Sequence, residues 1–332
     1  MSDGGVKPDH ATQTVTQAAL QADVVRVAAR AFEVDRYLAA LLAPKAARED
    51  LIALAAFAGE IARIPLYVTE PMMGRIRLQW WREAIETGTD GGNPIANAII
   101  SAINRHDLSV AKLVRLIDAH EILLDDAPFA DDPALRAHFA ATDGVLLACA
   151  YKILGPGFDF WDGPQVDDHV AAVTAYGLAR LLADLPVTLA AGRVLIPTDR
   201  LTANHLDPNT VAHAAAANTP QWQALIGDLC GEARAYHQQS GGTLAALPRS
   251  HRAALYHLAL VEPYLKASEG RRTSAGVIMP VQPMTRVWRL FLARWTGWLG
   301  AMPPQQTMAP KQTMPATRPT ASMSETKKTG RS

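Results

Sequence analysis

Asp118, Glu121 and Asp125, in "LVRLIDAHEILLDD", stand three and four residues apart and therefore share one face of a helix. Carboxylates gathered in that way are hard oxygen donors of the kind a magnesium ion takes. The plainer reading is an acidic face turned to water near a helix end, and it is preferred because charge runs are usually solvated. The neighbouring "DDAPFADD", residues 125–132, reads as a turn in which Asp132 or its neighbour caps the next helix. A second stretch, "TRVWRLFLARWTGWL", puts Trp288, Phe291, Trp295 and Trp298 on one face with Arg286, Arg289 and Arg294 opposite. This pattern suits a helix resting in a membrane interface over residues 286–299. It also suits a terminal helix whose aromatic face packs on the core, which is the commoner arrangement and the one expected here.

Other chemistry finds little support. His106, His120, His138, His169, His205, His237, His251 and His257 show no ligand spacing beyond the His251–His257 pair, which is off the helical repeat, so no zinc site is expected. No Ser-His-Asp set, Gly-rich phosphate loop or dinucleotide fingerprint stands out. Cys149 and Cys230 lack metal or redox spacing, and Cys149 in "GVLLACAYKIL" reads as a small buried hydrophobe in a reducing compartment. Lysine plus arginine equals aspartate plus glutamate at 32 each, so nothing argues for a nucleic-acid partner. The longest apolar run, "VAAVTAYGLARLLADLP", is interrupted by Arg180 and Asp184, and "MSDGGVKPDHATQTVTQ" has no apolar signal core. The expectation is a cytoplasmic chain, soluble or peripheral to the inner membrane without crossing it.

The elements that must position these residues are helices. Apolar residues recur at three- and four-residue spacing, and alternating strand patterns are scarce. "ADVVRVAARAFEVDRYLAALLA" reads as one helix stopping at Pro44, "REDLIALAAFAGEIARI" as a second ending at Pro65, and "MGRIRLQWWREAIETG" as a third following Pro71. "NPIANAIISAINRH", "SVAKLVRLIDAHEILLDD", "DPALRAHFAATDGVLLACAYKILG", "DDHVAAVTAYGLARLLADLP", "PQWQALIGDLCGEARAYHQQSG" and "SHRAALYHLALVEPYLKAS" continue the series. The predicted organisation is a flexible N-terminus over 1–19, one all-α domain over 20–300 and a disordered Pro/Thr/Ser/Lys-rich tail over 301–332.

Two blocks carry a family resemblance. "DRYLAALLAPKAAREDLIALAAFAGEIARI" running into "IRLQWWREAI", and "AYGLARLLADLPVTLAAGRVLIPTDRL", resemble the squalene/phytoene synthase family in order and spacing. The resemblance implies an isoprenoid-synthase-like bundle of helices around a central pocket. In that family the first block bears F-C-R-x-x-D-D-x-x-D and the second Q-x-T-N-x-x-R-D-x-x-E-D, two aspartate-rich helices that clamp magnesium. With Phe57 on the leading phenylalanine, Ala62 and Arg63 fall on the paired aspartates and Leu66 on the third. In the second block Asp184 keeps the first aspartate, Val187 and Thr188 replace the glutamate and second aspartate, and Arg180 takes the asparagine. Gly192, Arg193 and Pro197 retain the flanking "GR…P".

This pattern is similar to the family's non-catalytic branch, which includes a mitochondrial assembly factor for respiratory complex I. "FAGEIA", "RLQWWR", "IPTD", "IDAHEILLDD" and "VLLACAYKILG" each match short segments of that branch. The resemblance implies no catalytic residue, no metal and no cofactor, with subunits of a membrane complex as partners. An alternative is a magnesium-dependent head-to-head prenyl transferase acting on farnesyl or geranylgeranyl diphosphate. A third is a metal-independent lipid or isoprenoid binder. Arg63, Arg77, Arg180 and Arg193 map around the family's pocket mouth and form a candidate anion site. The competing expectation is internal ion pairing, with Arg63 and Arg180 both serving Asp184 in place of the metal.

Overall fold

A computed structural model describes residues 10–125, 128–156, 166–242, 247–270 and 281–297. Among them every regular element is helical. The helices are α1 (His10–Phe32), α2 (Val34–Leu41), α3 (Arg48–Tyr67), α4 (Pro71–Thr87), α5 (Pro94–His106), α6 (Val110–Glu121) and α7 (Asp132–Phe139). They continue with α8 (Val145–Leu154), α9 (Val166–Ala190), α10 (Thr198–Ala203), α11 (Val211–Ala216), α12 (Pro220–Gln239), α13 (Val261–Gly270) and α14 (Pro283–Thr296). Local chemistry starts them: Asn93 accepts from Ile95 and Ala96 backbone N–H groups, Asp131 from Ala134, and Thr219 from Trp222. Proline follows the cap of α4, α5, α7, α12 and α14, where its missing donor costs nothing.

Several boundaries differ from the sequence reading. The first helix begins at His10, inside the segment expected to be flexible, while residues 1–9 and the tail 301–332 lie outside the described residues. The predicted single helix over 22–43 is broken at Glu33, whose backbone (φ −134°, ψ 54°) leaves the helical region. The physical reason lies in the site below: Glu33 is turned inward onto two arginines. Neither Pro65 nor Pro186 stops its helix at once: α3 runs on to Tyr67 and α9 to Ala190, within about one turn of each proline. Between α7 and α8 the chain makes a π-turn, Ala140–Gly144, and the stretch predicted as a helix over 252–260 is a 3₁₀ segment.

The core is built on α3 and α9. Ile52, Leu54, Phe57 and Ile61 of α3 are buried against α1, α2, α5 and α8, while Tyr176, Ala179 and Leu182 of α9 are buried against α12 and α13. By length and composition α9 is apolar enough to span a bilayer, but most of it is buried in this bundle. Two glycines let the walls close: a Cβ on Gly59 would lie 2.6 Å from Phe32 Cβ, and one on Gly177 would lie 2.6 Å from the Phe139 ring. Cys149 and Cys230 are both buried, and burial pushes the Cys149 thiol up to about 12.

The expectation for α14 is overturned. Leu290 and Ala293 face the core, against the 3₁₀ segment and α2, whereas Trp288, Phe291 and Trp295 are 63%, 46% and 80% exposed. The aromatic face points outward because the inward face carries Arg286, paired with Asp35, and the exposed Arg294 holds that orientation by its bond to the Leu42 carbonyl. Trp298 lies outside the described residues.

Candidate functional site

The break at Glu33 sets the site. A helix run straight through residue 33 would spread the three charges of "EVDR" over different faces. Breaking there directs Glu33, Asp35 and Arg36 into the bundle, where Glu33 and Asp35 are buried. The Arg36 guanidinium donates to Glu33 at 3.0 Å and to Asp143 at 2.5 Å, the latter presented by the π-turn. From α9, Arg180 donates to Glu33 at 3.4 Å and to the Tyr176 hydroxyl at 3.2 Å. Tyr176 and Tyr264 both donate to Asp35, at 3.0 and 2.5 Å, and Arg286 stands 3.4 Å from its other oxygen. Asp35 has no exposed surface; the two hydroxyls serve one of its oxygens, while the other, Oδ1, has the Arg286 charge nearby but no hydrogen bond.

Electrostatics follow from this crowding. Burial pushes the Glu33 carboxyl up, but Arg180 and Arg36 outweigh it and leave it below the usual carboxylate range. Burial raises the Tyr176 phenol far above its ordinary value, with Asp35 adding to the shift. His257, edge-on to the Tyr176 ring with centroids 4.5 Å apart, is held well below a free imidazole by burial and by Arg36 and Arg180. At neutral pH Glu33 is therefore charged between its two guanidiniums, while Tyr176 and His257 are neutral.

Beside it opens a cavity of about 320 Å³. Phe32, Phe129, Phe139, Leu146 and Leu181 supply apolar wall, and Glu33, Arg36, Asp143 and Arg180 form one polar side. Leu66, Tyr67 and Val187 line it while themselves exposed, giving it an apolar rim. His120 and His138 also line it, with His138 brought down to about 3 by burial and by His120, so both rings behave as neutral aromatics.

The motif positions converge on this cavity. Ala62, Arg63, Leu66, Arg180, Asp184, Thr188 and Arg193 all line it, but Arg77 does not: it is exposed on α4, over a separate depression shared with Trp80 and Glu60. The expected double pairing of Asp184 is half right. Arg180 approaches Asp184 at 3.6 Å, whereas Arg63 pairs with Glu60 at 2.9 Å, one helical turn back, and lies over the Phe32 ring. The principal partner of Arg180 is the buried Glu33. Asp184 itself is half-exposed, and its carboxyl is raised by burial, with Glu33 opposing the Arg180 attraction. Arg193 donates to the Leu123 carbonyl at 2.5 Å, and Thr188 donates to the Leu185 carbonyl at 3.1 Å.

Magnesium does not fit these positions. A hard divalent ion needs several oxygen ligands, and the two motifs retain one carboxylate, Asp184, already beside a guanidinium. Among the described residues no group of three His, Cys, Asp or Glu side chains is placed to hold a metal ion. The Asp118, Glu121 and Asp125 face is neither a metal cluster nor a free acidic surface. Arg82 of α4 donates to Asp118 at 2.7 Å and to Glu121 at 2.6 Å, and Arg75 reaches Asp125 at 3.3 Å. These pairs fasten α4 to α6. The cap of α7 is Asp131, leaving Asp132 to pair with Arg200.

Sequence reasoning missed Glu33, Asp35, Arg36 and Asp143. The available signal was "FEVDR": three charges inside an otherwise apolar run, at positions a straight helix would have placed partly in the core.

Comparison with known proteins accords with this architecture. The model of the family described as squalene/phytoene synthase matches residues 29–295. The chain is 29% identical over 168 residues to a Rattus norvegicus protein named NADH dehydrogenase (ubiquinone) complex I, assembly factor 6. It is 28% identical over 166 residues to the Homo sapiens protein of the same name. These alignments cover 50% and 49% of this chain, and the chain spans about half the length of the relatives it matches, 49% in each case. Among solved structures, squalene synthase HpnC from Alicyclobacillus acidocaldarius superposes with a TM-score of 0.59 at 17% identity, covering 78% of this chain and 94% of that one. A dehydrosqualene synthase in complex with ligand gives 0.66 at 14% identity, covering 83% and 96%. At such identities these structures establish the fold.

Proposed function

This chain belongs to the squalene/phytoene synthase family, and we propose that it is a member without transferase chemistry that assists assembly of a membrane-bound NADH dehydrogenase of the complex I type. The observation that carries this reading is the place of Arg180. On the helix that would present the second aspartate-rich motif, a guanidinium sits between Glu33, at the break between α1 and α2, and Asp184 one turn along α9, so the retained aspartate faces a cation where a metal ion would be needed. Ala62 and Arg63 stand opposite, on the first-motif helix. The similarity to relatives named as complex I assembly factors supports the role. The proposed working place is the cytoplasmic side of the inner membrane, against subunits of that complex.

The test has two arms. Deleting the gene should lower membrane NADH:quinone activity and leave partial complexes on native gels; intact complex at normal abundance would end the assembly reading. Separately, purified protein should release no pyrophosphate from farnesyl or geranylgeranyl diphosphate with or without magnesium. Magnesium-dependent release would restore the transferase alternative.

The cavity favours a second reading that is compatible with the first. Its apolar wall is intact, and Arg63 and Arg193 border it, so a lipid or isoprenoid chain with an anionic head would find both parts accommodated without a metal. A thermal shift with a prenyl diphosphate, indifferent to magnesium, is expected if the cavity binds. A shift that appears only with magnesium would overturn the metal-independent reading.

A further inference from the structure

Helix α14 carries a second apolar face besides the Leu290 and Ala293 face that it buries. Arg286 turns inward to Asp35, and the exposed Arg294 ties the helix edge to the Leu42 carbonyl. Met284, Val287, Trp288, Phe291 and Trp295 point out, and all are exposed. Trp288, Phe291 and Trp295 stack in sequence, with ring centroids 6.3 Å apart at each step, so they form one continuous strip. Each such ring presents roughly 150–250 Å² when bare, so the strip amounts to a few hundred Å² of contiguous apolar surface.

Charge says what covers it. The overall balance of 32 against 32 hides an asymmetry: residues 281–332 contain eight Lys and Arg and a single acid, Glu325. Their net charge is +7, and the first 280 residues carry −7. Between residues 281 and 324 there is no acidic side chain at all. Arg286 is spent on Asp35, but the seven other basic residues match a negatively charged bilayer, since basic residues next to an interfacial helix are drawn to anionic headgroups, whereas a purely apolar partner has no use for them. Tryptophan suits the same place, its ring settling at headgroup level.

We propose that α14 is a membrane-docking helix, laying Trp288, Phe291 and Trp295 into the headgroup region of an anionic bilayer while its Leu290 and Ala293 face stays on the bundle. The inference stands independently of the cavity and of which complex is assembled.

The test uses the full chain and vesicles of phosphatidylcholine, with or without phosphatidylglycerol. Flotation should recover the protein with the anionic vesicles, with about tenfold weaker binding to pure phosphatidylcholine and release as salt is raised. The variant Trp288→Ser/Trp295→Ser should lose about tenfold in binding with its melting temperature unchanged, since both rings are largely outside the core. Leu20→Ser, an exposed residue on α1, should bind as the parent does. Equal binding to both vesicle types, no binding to either, or binding undiminished in the double variant would each overturn the proposal. So would a dimer in solution that the double variant abolishes, because the strip would then cover a second copy.

Discussion

Replacing Arg180 by methionine tests whether the guanidinium is a structural bridge or a ligand-binding group. In the folded protein Arg180 lies 3.4 Å from a Glu33 oxygen and 3.6 Å from Asp184, and its side chain is only 26% exposed. At the effective dielectric of such sites, a pair 3.4 Å apart attracts by roughly 5 kcal/mol before the cost of drying both ions. Removing one partner leaves Glu33 buried with Arg36 alone and leaves the Tyr176 hydroxyl without its donor. Since Arg36 compensates in part, a net loss of about 2–3 kcal/mol is expected, toward the low end for a broken buried pair. Urea unfolding followed by far-ultraviolet circular dichroism reads this directly in an all-helical chain. The double variant Arg180→Met/Glu33→Gln should be more stable than the sum of the singles by about 1 kcal/mol or more, because the orphaned charge is gone. Arginines kept for a ligand at a site's expense tend to destabilise the empty protein, so Arg180→Met would then be neutral or stabilising. A loss below about 0.5 kcal/mol, with additive singles, would refute the bridge.

Asp184→Asn should change stability by no more than about 0.5 kcal/mol in the same assay, because the carboxylate is half-exposed and its ion pair with Arg180, at 3.6 Å, is loose. Gly177→Ala should cost about 1–3 kcal/mol despite the better helix propensity of alanine, since its Cβ would meet the rigid Phe139 ring at 2.6 Å; an unchanged melting temperature would contradict that packing. Acid should weaken the fold early. His138 and His169 are lowered to about 3 and about 4 by burial, and His257 is lowered well below its ordinary value. The unfolded chain then takes up protons first, so stability is fully present above about pH 6.5 and is lost as pH falls, by on the order of 1–2 kcal/mol per histidine at pH 5. Melts from pH 7.5 to 5 that do not move would count against three neutral buried imidazoles.

Much of the bundle was legible because amphipathic periodicity and caps are local. Asn93, Thr219 and the prolines that open α4 and α5 announce their helices in the sequence itself. The site was legible in part: the family spacing brought Ala62, Arg63, Arg180, Asp184 and Arg193 to one cavity. What was illegible depends on partners far away in sequence. Glu33 breaks a helix that its neighbours favour, because Arg180, 147 residues on, holds its carboxylate. Asp143 lies in a π-turn that periodicity alone reads as more helix. The direction of α14 turned on Asp35, whose demand for a cation outweighed the tendency of tryptophans to face inward.

Asp35 also sets an order of events. Its partners lie 141, 229 and 251 residues downstream, at Tyr176, Tyr264 and Arg286. A chain emerging from the ribosome makes the anion long before it makes the last cation. Until α14 arrives, that carboxylate has two hydroxyls and no direct ion pair, the nearest guanidinium, Arg180, reaching it only through the Tyr176 hydroxyl. Seating of α14 thus gives Asp35 its ion pair and at the same moment lines up Trp288, Phe291 and Trp295 on one outward face, so the ordered strip belongs to the folded molecule.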